Sequence, residues 1–186
     1  LPQLDAIIVQ DYAKGFLSPD LVRSLGVMAN RAGKILAIDP NPSNPLAWEH
    51  VTVIKPNRGE AFAAAGIPAS DPVEPATEDT ALIQVGETLM SRWNTDQLLI
   101  TLGEQGLMLF QRDGSPPYHA PTRAREVFDV SGAGDTVIAL HTLALCAGAT
   151  PEEAAEIANH ASGIVVGKLG TATCTPAELL ARVNGE

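Results

Sequence analysis

Short apolar runs, separated by glycine, proline and helix-capping residues, divide the chain into alternating strands and helices. Ala6-Ile-Ile-Val9 is a continuous apolar run of strand length, the pattern of a strand covered on both faces. Ser18-Pro19 supplies an N-cap and a first-turn proline, and the helix they open is closed by Gly33 after Arg31. Ile35-Leu-Ala-Ile38 is the next strand, and strand, helix, strand in that order predicts a right-handed crossover within a parallel sheet. Further strands are predicted at Val51 to Ile54, Leu98 to Thr101 and Leu107 to Phe110, with helices over Glu60 to Ala65 and Glu78 to Trp93. Glu126-Val-Phe128 reads as the end of another extended segment, followed by a glycine turn and the apolar, helix-compatible run from Val137 to Leu145. The last third is helical. Thr150-Pro-Glu-Glu153 is a capping box ahead of Ala154, Ile157, Ala158, Ala161 and Ile164 at helical spacing, and Thr175-Pro-Ala-Glu178 repeats the cap. Gly66 to Pro75 reads as a surface loop, too short for a domain linker. The expected architecture is α/β, an open, mostly parallel sheet with helices on both faces.

In such a sheet ligands gather beyond the carboxyl ends of the strands. Polar clusters fall at those ends: Asp11-Tyr-Ala-Lys14-Gly15, Asp39-Pro-Asn41, Lys55-Pro-Asn57-Arg-Gly-Glu60 and Thr101-Leu-Gly103-Glu-Gln-Gly106. With the segment Asp129-Val-Ser-Gly-Ala-Gly-Asp135 they suggest one shared crevice. In that segment Gly132 and Gly134 stand at a helix start, where free backbone N–H groups and the helix dipole attract anionic oxygens. Asp135 falls in the first turn, within reach of whatever those amides hold; its ordinary alternative is a carboxylate that only complements the dipole.

The other clusters also have an ordinary and a functional reading. Asn57-x-x-Glu60 is a capping box, and Glu60 is also a carboxylate suited to hydrated Mg²⁺, which needs few protein ligands. Thr101, Gly103 and Gly106 form either a plain strand-to-strand turn or a nucleotide contact. Lys14 is either a solvated lysine or a contact for a substrate phosphate. Asn159 lies beside the small residues Ala158, Ala161 and Gly163, which serve helix packing or the flat face of an adenine. Gly163-Ile-Val-Val-Gly167-Lys168-Leu169 is one residue short of a Walker A loop and has Leu where Ser or Thr must reach the metal.

Charge and composition narrow the partners. A formal net charge of −10, a pI near 4.7 and no run of Lys or Arg argue against nucleic acid or an anionic membrane, so a bound phosphate must be handled locally. Cys146 and Cys174 form no metal or disulfide pattern, which fits a cytoplasmic protein. The scattered histidines, with no H-E-x-x-H or G-x-S-x-G, leave metalloprotease and serine-hydrolase chemistry without support.

In order along the chain, Asp39-Pro-Asn41, Lys55-Pro-Asn-Arg-Gly-Glu60, Thr101-Leu-Gly-Glu-Gln-Gly106 and Asp129-Val-Ser-Gly-Ala-Gly-Asp135 resemble the PfkB family of ribokinase-like carbohydrate kinases. The last resembles the family's D-T-x-G-A-G-D signature, with Val130 in place of Thr. Asp11-Tyr-Ala-Lys-Gly15 and the stretch Ala158 to Thr173 resemble the heptose 7-phosphate kinase branch, which serves ADP-heptose and lipopolysaccharide precursor synthesis. The resemblance implies a ribokinase-like fold and an ATP-dependent phosphotransferase acting on D-glycero-D-manno-heptose 7-phosphate at the anomeric hydroxyl. A kinase of the same family for another sugar, and a non-catalytic nucleotide-binding or assembly module, are the alternatives. By the resemblance Asp135 is the catalytic base, and the amides of Gly132, Ala133 and Gly134 form an anion hole. Asn57, Glu60, Thr101, Gly103, Gly106 and Asn159 meet ATP and Mg²⁺, with Glu60 reaching the metal through water. Lys14 and Asp11 meet the sugar phosphate, and Asp129 with the loop from Gly170 to Cys174 corresponds to a K⁺ site. The family's sugar-binding strands and lid have no counterpart here. Residues 1–186 are therefore expected to be the C-terminal, nucleotide-binding and catalytic part of one kinase domain. A homodimer through the lid region and a nucleotidyltransferase fused beyond the C-terminus are further implications.

Overall fold

The computed structural model describes residues 3–124 and 126–185. Six strands form one open sheet in the order β1-β2-β3-β4-β5-β6: β1 (Ala6–Gln10), β2 (Ile35–Asp39), β3 (Val53–Ile54), β4 (Gln97–Thr101), β5 (Leu107–Gln111) and β6 (Tyr118–Ala120). β1 to β4 run parallel, and β5 and β6 each turn back antiparallel. The helices are α1 (Pro19–Arg31), α2 (Arg58–Ala65), α3 (Thr80–Trp93), α4 (Ala133–Cys146), α5 (Pro151–Val165) and α6 (Pro176–Asn184).

Side chains alternate across a strand, and along β2 to β5 both faces are covered, whereas β1, expected to be covered on both faces, is an edge strand that leaves Ile8 42% exposed. Leu36, Ile38, Ile54, Leu98, Ile100, Met108 and Phe110 join one core with Phe62 of α2 and Leu82, Leu89 and Trp93 of α3. Their neighbours Ala37, Val53, Leu99, Leu107 and Leu109 join a second core with Val137 and Ile138 of α4 and Ala155 and Ala158 of α5. This explains why the strands read as unbroken apolar runs. α6 packs on α5, outside both cores. Among the described residues no helix is long and apolar enough to cross a membrane.

Three expectations shift. Glu126 to Phe128 is not a strand; the Phe128 N–H donates to the Val166 carbonyl at 2.8 Å, tying the segment to the end of α5. The extended element is β6, three residues behind Pro116-Pro117, too short to carry a period of its own and made a strand by its pairing with β5. β3 keeps only Val53–Ile54 of the predicted run. α3 starts at Thr80, because the Asp79 carboxylate accepts the Leu82 N–H at 2.9 Å and Ala76–Glu78 forms a separate 3-10 turn. Asp79 also pairs with Arg58 at 2.8 Å, and the Arg58 guanidinium lies 4.8 Å from the Phe62 ring centre, so the start of α3 is tied to α2. Burial pushes the Asp79 carboxyl up, but the Leu82 N–H and Arg58 outweigh it and hold it below its ordinary value.

Candidate active site

Parallel register brings three strand ends to one level. Gln10 pairs with Asp39 across β1 and β2, and the Lys55 N–H, just past β3, donates to the Ile38 carbonyl at 2.8 Å. The Lys55 side chain is only 4% exposed, with its ammonium 3.1 Å from Asp39 Oδ2. Gln10 Nε2 donates to that same oxygen at 3.1 Å and also to Asp135 Oδ1. Burial raises the Asp39 carboxyl above its ordinary value; Lys55 pulls it down, and the nearby Glu60 and Asp135 carboxylates add to the rise.

α4 starts against this cluster. Gly132 is its N-cap at φ +79°, a conformation that costs glycine nothing, and no side chain caps the helix. The Ala133 N–H donates to Val130 O at 3.2 Å, whereas the amides of Gly132, Gly134 and Asp135 have no acceptor among the described residues. The expected trio therefore changes by one member: the turn from Val130 engages Ala133, and Asp135 contributes its amide instead. A Cβ placed on Gly134 would lie 3.2 Å from Lys55 Nζ, so a buried ammonium sits at the positive end of a helix dipole. Open amides and a buried cation at one point favour a bound anion, and the exposed Asp135 carboxylate beside them can take a proton.

Two cavities meet there. One of about 380 Å³ is lined by Thr101, Gly103, Val130, Gly134, Asn159 and Gly163, among others. Its neighbour, about 550 Å³, shares Thr101, Gly103, Val130 and Gly134 and adds Asp39, Lys55, Asn57 and Glu60. A third cavity, about 660 Å³, lies behind the loop after β2 and touches the cluster only through Glu60. The structure thus brings Asn57, Glu60, Thr101, Gly103, Gly134 and Asp135 together.

Several of these residues also carry structure. Asn57 Oδ1 accepts the Glu60 N–H at 2.9 Å and Glu60 Oε2 accepts the Asn57 N–H at 2.8 Å, closing the capping box and leaving Glu60 Oε1 for a ligand. One free carboxylate oxygen in an acidic neighbourhood fits Mg²⁺ that keeps most of its water. Gly106 lines the smaller cavity, but a Cβ there would stand 2.1 Å from Ala120 O, so close passage of β6 is what demands the glycine. The Asn159 amide donates to Pro121 O at 2.7 Å, which leaves its oxygen for the cavity.

The remaining predicted residues lie outside this wall. Asp11 is buried, with Oδ1 accepting the Ala13 N–H at 2.8 Å and Oδ2 the Asn44 amide at 2.9 Å; both oxygens hold loops together instead of facing a ligand. Lys14 is exposed on the same loop. Asp129 accepts the Ser131 N–H at 2.9 Å, which holds its carboxyl below the ordinary range, and the Gly170 N–H at 3.2 Å, so it joins the two loops expected to flank a cation. Gln10, Asp39 and Lys55 were not among the residues predicted to act. Asp39 and Lys55 lay in polar clusters at strand ends, and Gln10 closes an otherwise apolar strand; their shared level appears only once the register is known.

Residues 8–178 match the family described as pfkB family carbohydrate kinase. Among similar proteins, Bifunctional protein HldE of Trichlorobacter lovleyi is 44% identical over 182 residues, covering 98% of this chain and 35% of that protein. The protein of that name from Edwardsiella ictaluri is 41% identical over 185 residues, covering 100% of this chain and 36% of that one. The chain thus spans about a third of the length of these relatives. Among solved structures, Arabidopsis thaliana ribokinase complexed with ribose and ATP has a TM-score of 0.79 at 20% identity, covering 96% of this chain and 55% of that one. Escherichia coli phosphofructokinase-2 in complex with potassium has a TM-score of 0.76 at 16% identity, over 96% and 56%. At such identities the likeness is one of fold.

Proposed function

The chain belongs to the pfkB family of carbohydrate kinases, and we propose that it is the nucleotide-binding and catalytic part of an ATP-dependent sugar-phosphate kinase. The single observation that carries the reading is the uncapped start of α4, where open amides and buried Lys55 surround one point beside the Asp135 carboxylate. Phosphoryl transfer asks little else of a protein than positioning and charge stabilisation. Asp135 takes the proton of the acceptor hydroxyl. The amides of Gly132, Gly134 and Asp135, with Lys55, hold the transferring phosphoryl group. The cavity bounded by Thr101, Gly103 and Asn159 takes the nucleoside, and Glu60 with Asn57 holds Mg²⁺ through water. When bound, the metal neutralises phosphate charge. Asp129 and the Gly170 loop are the K⁺ site in this reading.

The acceptor we propose is D-glycero-D-manno-heptose 7-phosphate, phosphorylated at its anomeric hydroxyl to the 1,7-bisphosphate in cytoplasmic ADP-heptose synthesis. The likeness of Asp11 to Gly15 and of Ala158 to Thr173 to the heptose 7-phosphate kinase branch supports this substrate, and relatives named bifunctional and about threefold longer support a second domain in the whole protein, which we read as a nucleotidyltransferase. The test is ADP release by the full-length protein given ATP, Mg²⁺ and that heptose phosphate, against a panel of other sugar phosphates. Turnover only with another sugar would move the substrate, and nucleotide binding without turnover on any sugar would remove the kinase reading.

A further inference from the structure

Gln10 stands at the end of β1 between two carboxylates. Its Nε2 donates to Asp39 Oδ2 at 3.1 Å and to Asp135 Oδ1, so both N–H bonds of the amide are directed at acidic partners. Lys55 reaches only Asp39. Among the described residues Gln10 is the sole side chain that holds the Asp135 carboxyl, which is otherwise exposed in the first turn of α4. The terminal torsion of an aspartate is broad and two-fold, so an unheld carboxylate samples many orientations. A neutral amide fixes it without cancelling its charge, as a cation would.

We propose that Gln10 is a positioning residue for the base. It grips Asp135 by Oδ1 and leaves Oδ2 as the oxygen that takes the proton. The inference rests on Asp135 being the base in the reaction proposed above. In that step the acceptor O–H bond breaks and its proton passes to Oδ2. The acceptor oxygen bonds to the γ-phosphorus as the bridging P–O bond breaks, and ADP leaves with that electron pair. Asp39 anchors the other side of the amide and is itself held by Lys55, so the grip runs from β2 and β3 through β1 to α4.

The experiment is steady-state kinetics of the full-length protein with ATP and the heptose phosphate, comparing wild type with Gln10→Met and Gln10→Glu. Loss of alignment predicts a fall in kcat of roughly 10- to 100-fold for Gln10→Met, with the KM for ATP within about twofold and the melting temperature unchanged. The carboxylate introduced by Gln10→Glu would face Asp39 from β2 and Asp135 from α4, with Glu60 of α2 near Asp39 on the same side of the balance and Lys55, just past β3, in opposition. Its kcat relative to wild type should therefore be lowest near about pH 8 and recover toward about pH 6, as that carboxyl gains a proton it can donate. Wild-type kcat in both variants, or a loss confined to the KM for ATP, overturns the proposal. If wild type makes no ADP with any sugar phosphate, the functional reading fails separately. Gln10 is then judged on NMR of its side-chain amide: exchange that is slow in wild type and faster in Asp135→Ala supports the grip, and equal exchange overturns it.

Discussion

The first turns of α4 and α5 lie in the same layer and treat their unpaired amides in opposite ways. α5 opens on Thr150, whose hydroxyl accepts the Glu153 N–H at 3.3 Å while Glu153 Oε2 accepts the Thr150 N–H at 2.8 Å. α4 opens on Gly132, which has no side chain to offer. The starts of α1, α2, α3 and α6 resemble α5, each closed by Ser18, Asn57, Asp79 or Thr175. A helix start without a cap leaves donors open to solvent or to a ligand. Among the described residues every α-helix start carries a side-chain cap except the one where Lys55 and Asp135 stand beside the open donors, and that contrast separates a structural helix end from a functional one.

The sharpest way to break the contrast is Asp135→Asn. In the full-length protein, kcat should fall by roughly 10³- to 10⁴-fold in the ADP-release assay. The melting temperature should hold, since the amide is isosteric and the helix start has no cap to lose. Retained activity would return α4 to the class of ordinary helix ends.

The next effect belongs to a closed end. Asp79→Ala removes a cap and the carboxylate paired with Arg58, leaving that guanidinium's charge to the neutral oxygens of Ser70 and Asp71, so urea unfolding should show a loss of about 3 kcal/mol, without a change in the KM for ATP of the protein that remains folded.

A comparable effect seats α4 itself. His141 is fully buried, 2.8 Å from Gln97 Oε1, and burial pushes its pKa from 6.5 down to about 4. The folded protein resists a proton that the unfolded chain accepts, so stability falls as pH drops through about 6.5 and levels off near 4. The loss should approach roughly 3 kcal/mol, read as a urea midpoint that declines over this range and flattens in His141→Gln.

Smallest is Thr150→Ala, which opens α5 as α4 is open. About 1 kcal/mol of stability should go in the same unfolding assay, with kcat unmoved, because the carboxylates at that end, Glu152 and Glu153, have no buried cation beside them among the described residues.

Most of the fold was legible because buried strands and capped helices mark themselves locally. Ile35 to Ile38 and Leu107 to Phe110 are apolar runs, and Thr150, Thr175 and Asn57 each stand three residues before a glutamate. β6 was not legible, since Tyr118-His-Ala120 becomes a strand only by pairing with β5. At the site, the glycine turn and Asp135 could be read from their spacing. The loss of Ala133's amide could not, because it depends on where Val130 O points. Asp11 looked like a ligand group for its place after a strand, yet its two oxygens meet Ala13 and Asn44, the latter through a loop with no periodic signal. The partnership of Gln10, Asp39 and Lys55 depends on register, which an apolar pattern does not number.

The order of the sheet has a consequence for how the molecule assembles. Among the described strands each neighbour in the sheet is also a neighbour in the chain, so each strand from β2 to β6 finds a partner already made as it emerges in synthesis. Only afterwards does the chain return across the whole sheet to lay α4 on β1 and β2, bringing Asp135 to Gln10 over a separation of 125 residues. Such distant contacts close late, after the local ones have reduced the search. Trp48 and Trp93, buried in the layer of α1 to α3, therefore report on a half of the protein that can be in place while the anion site is still unmade.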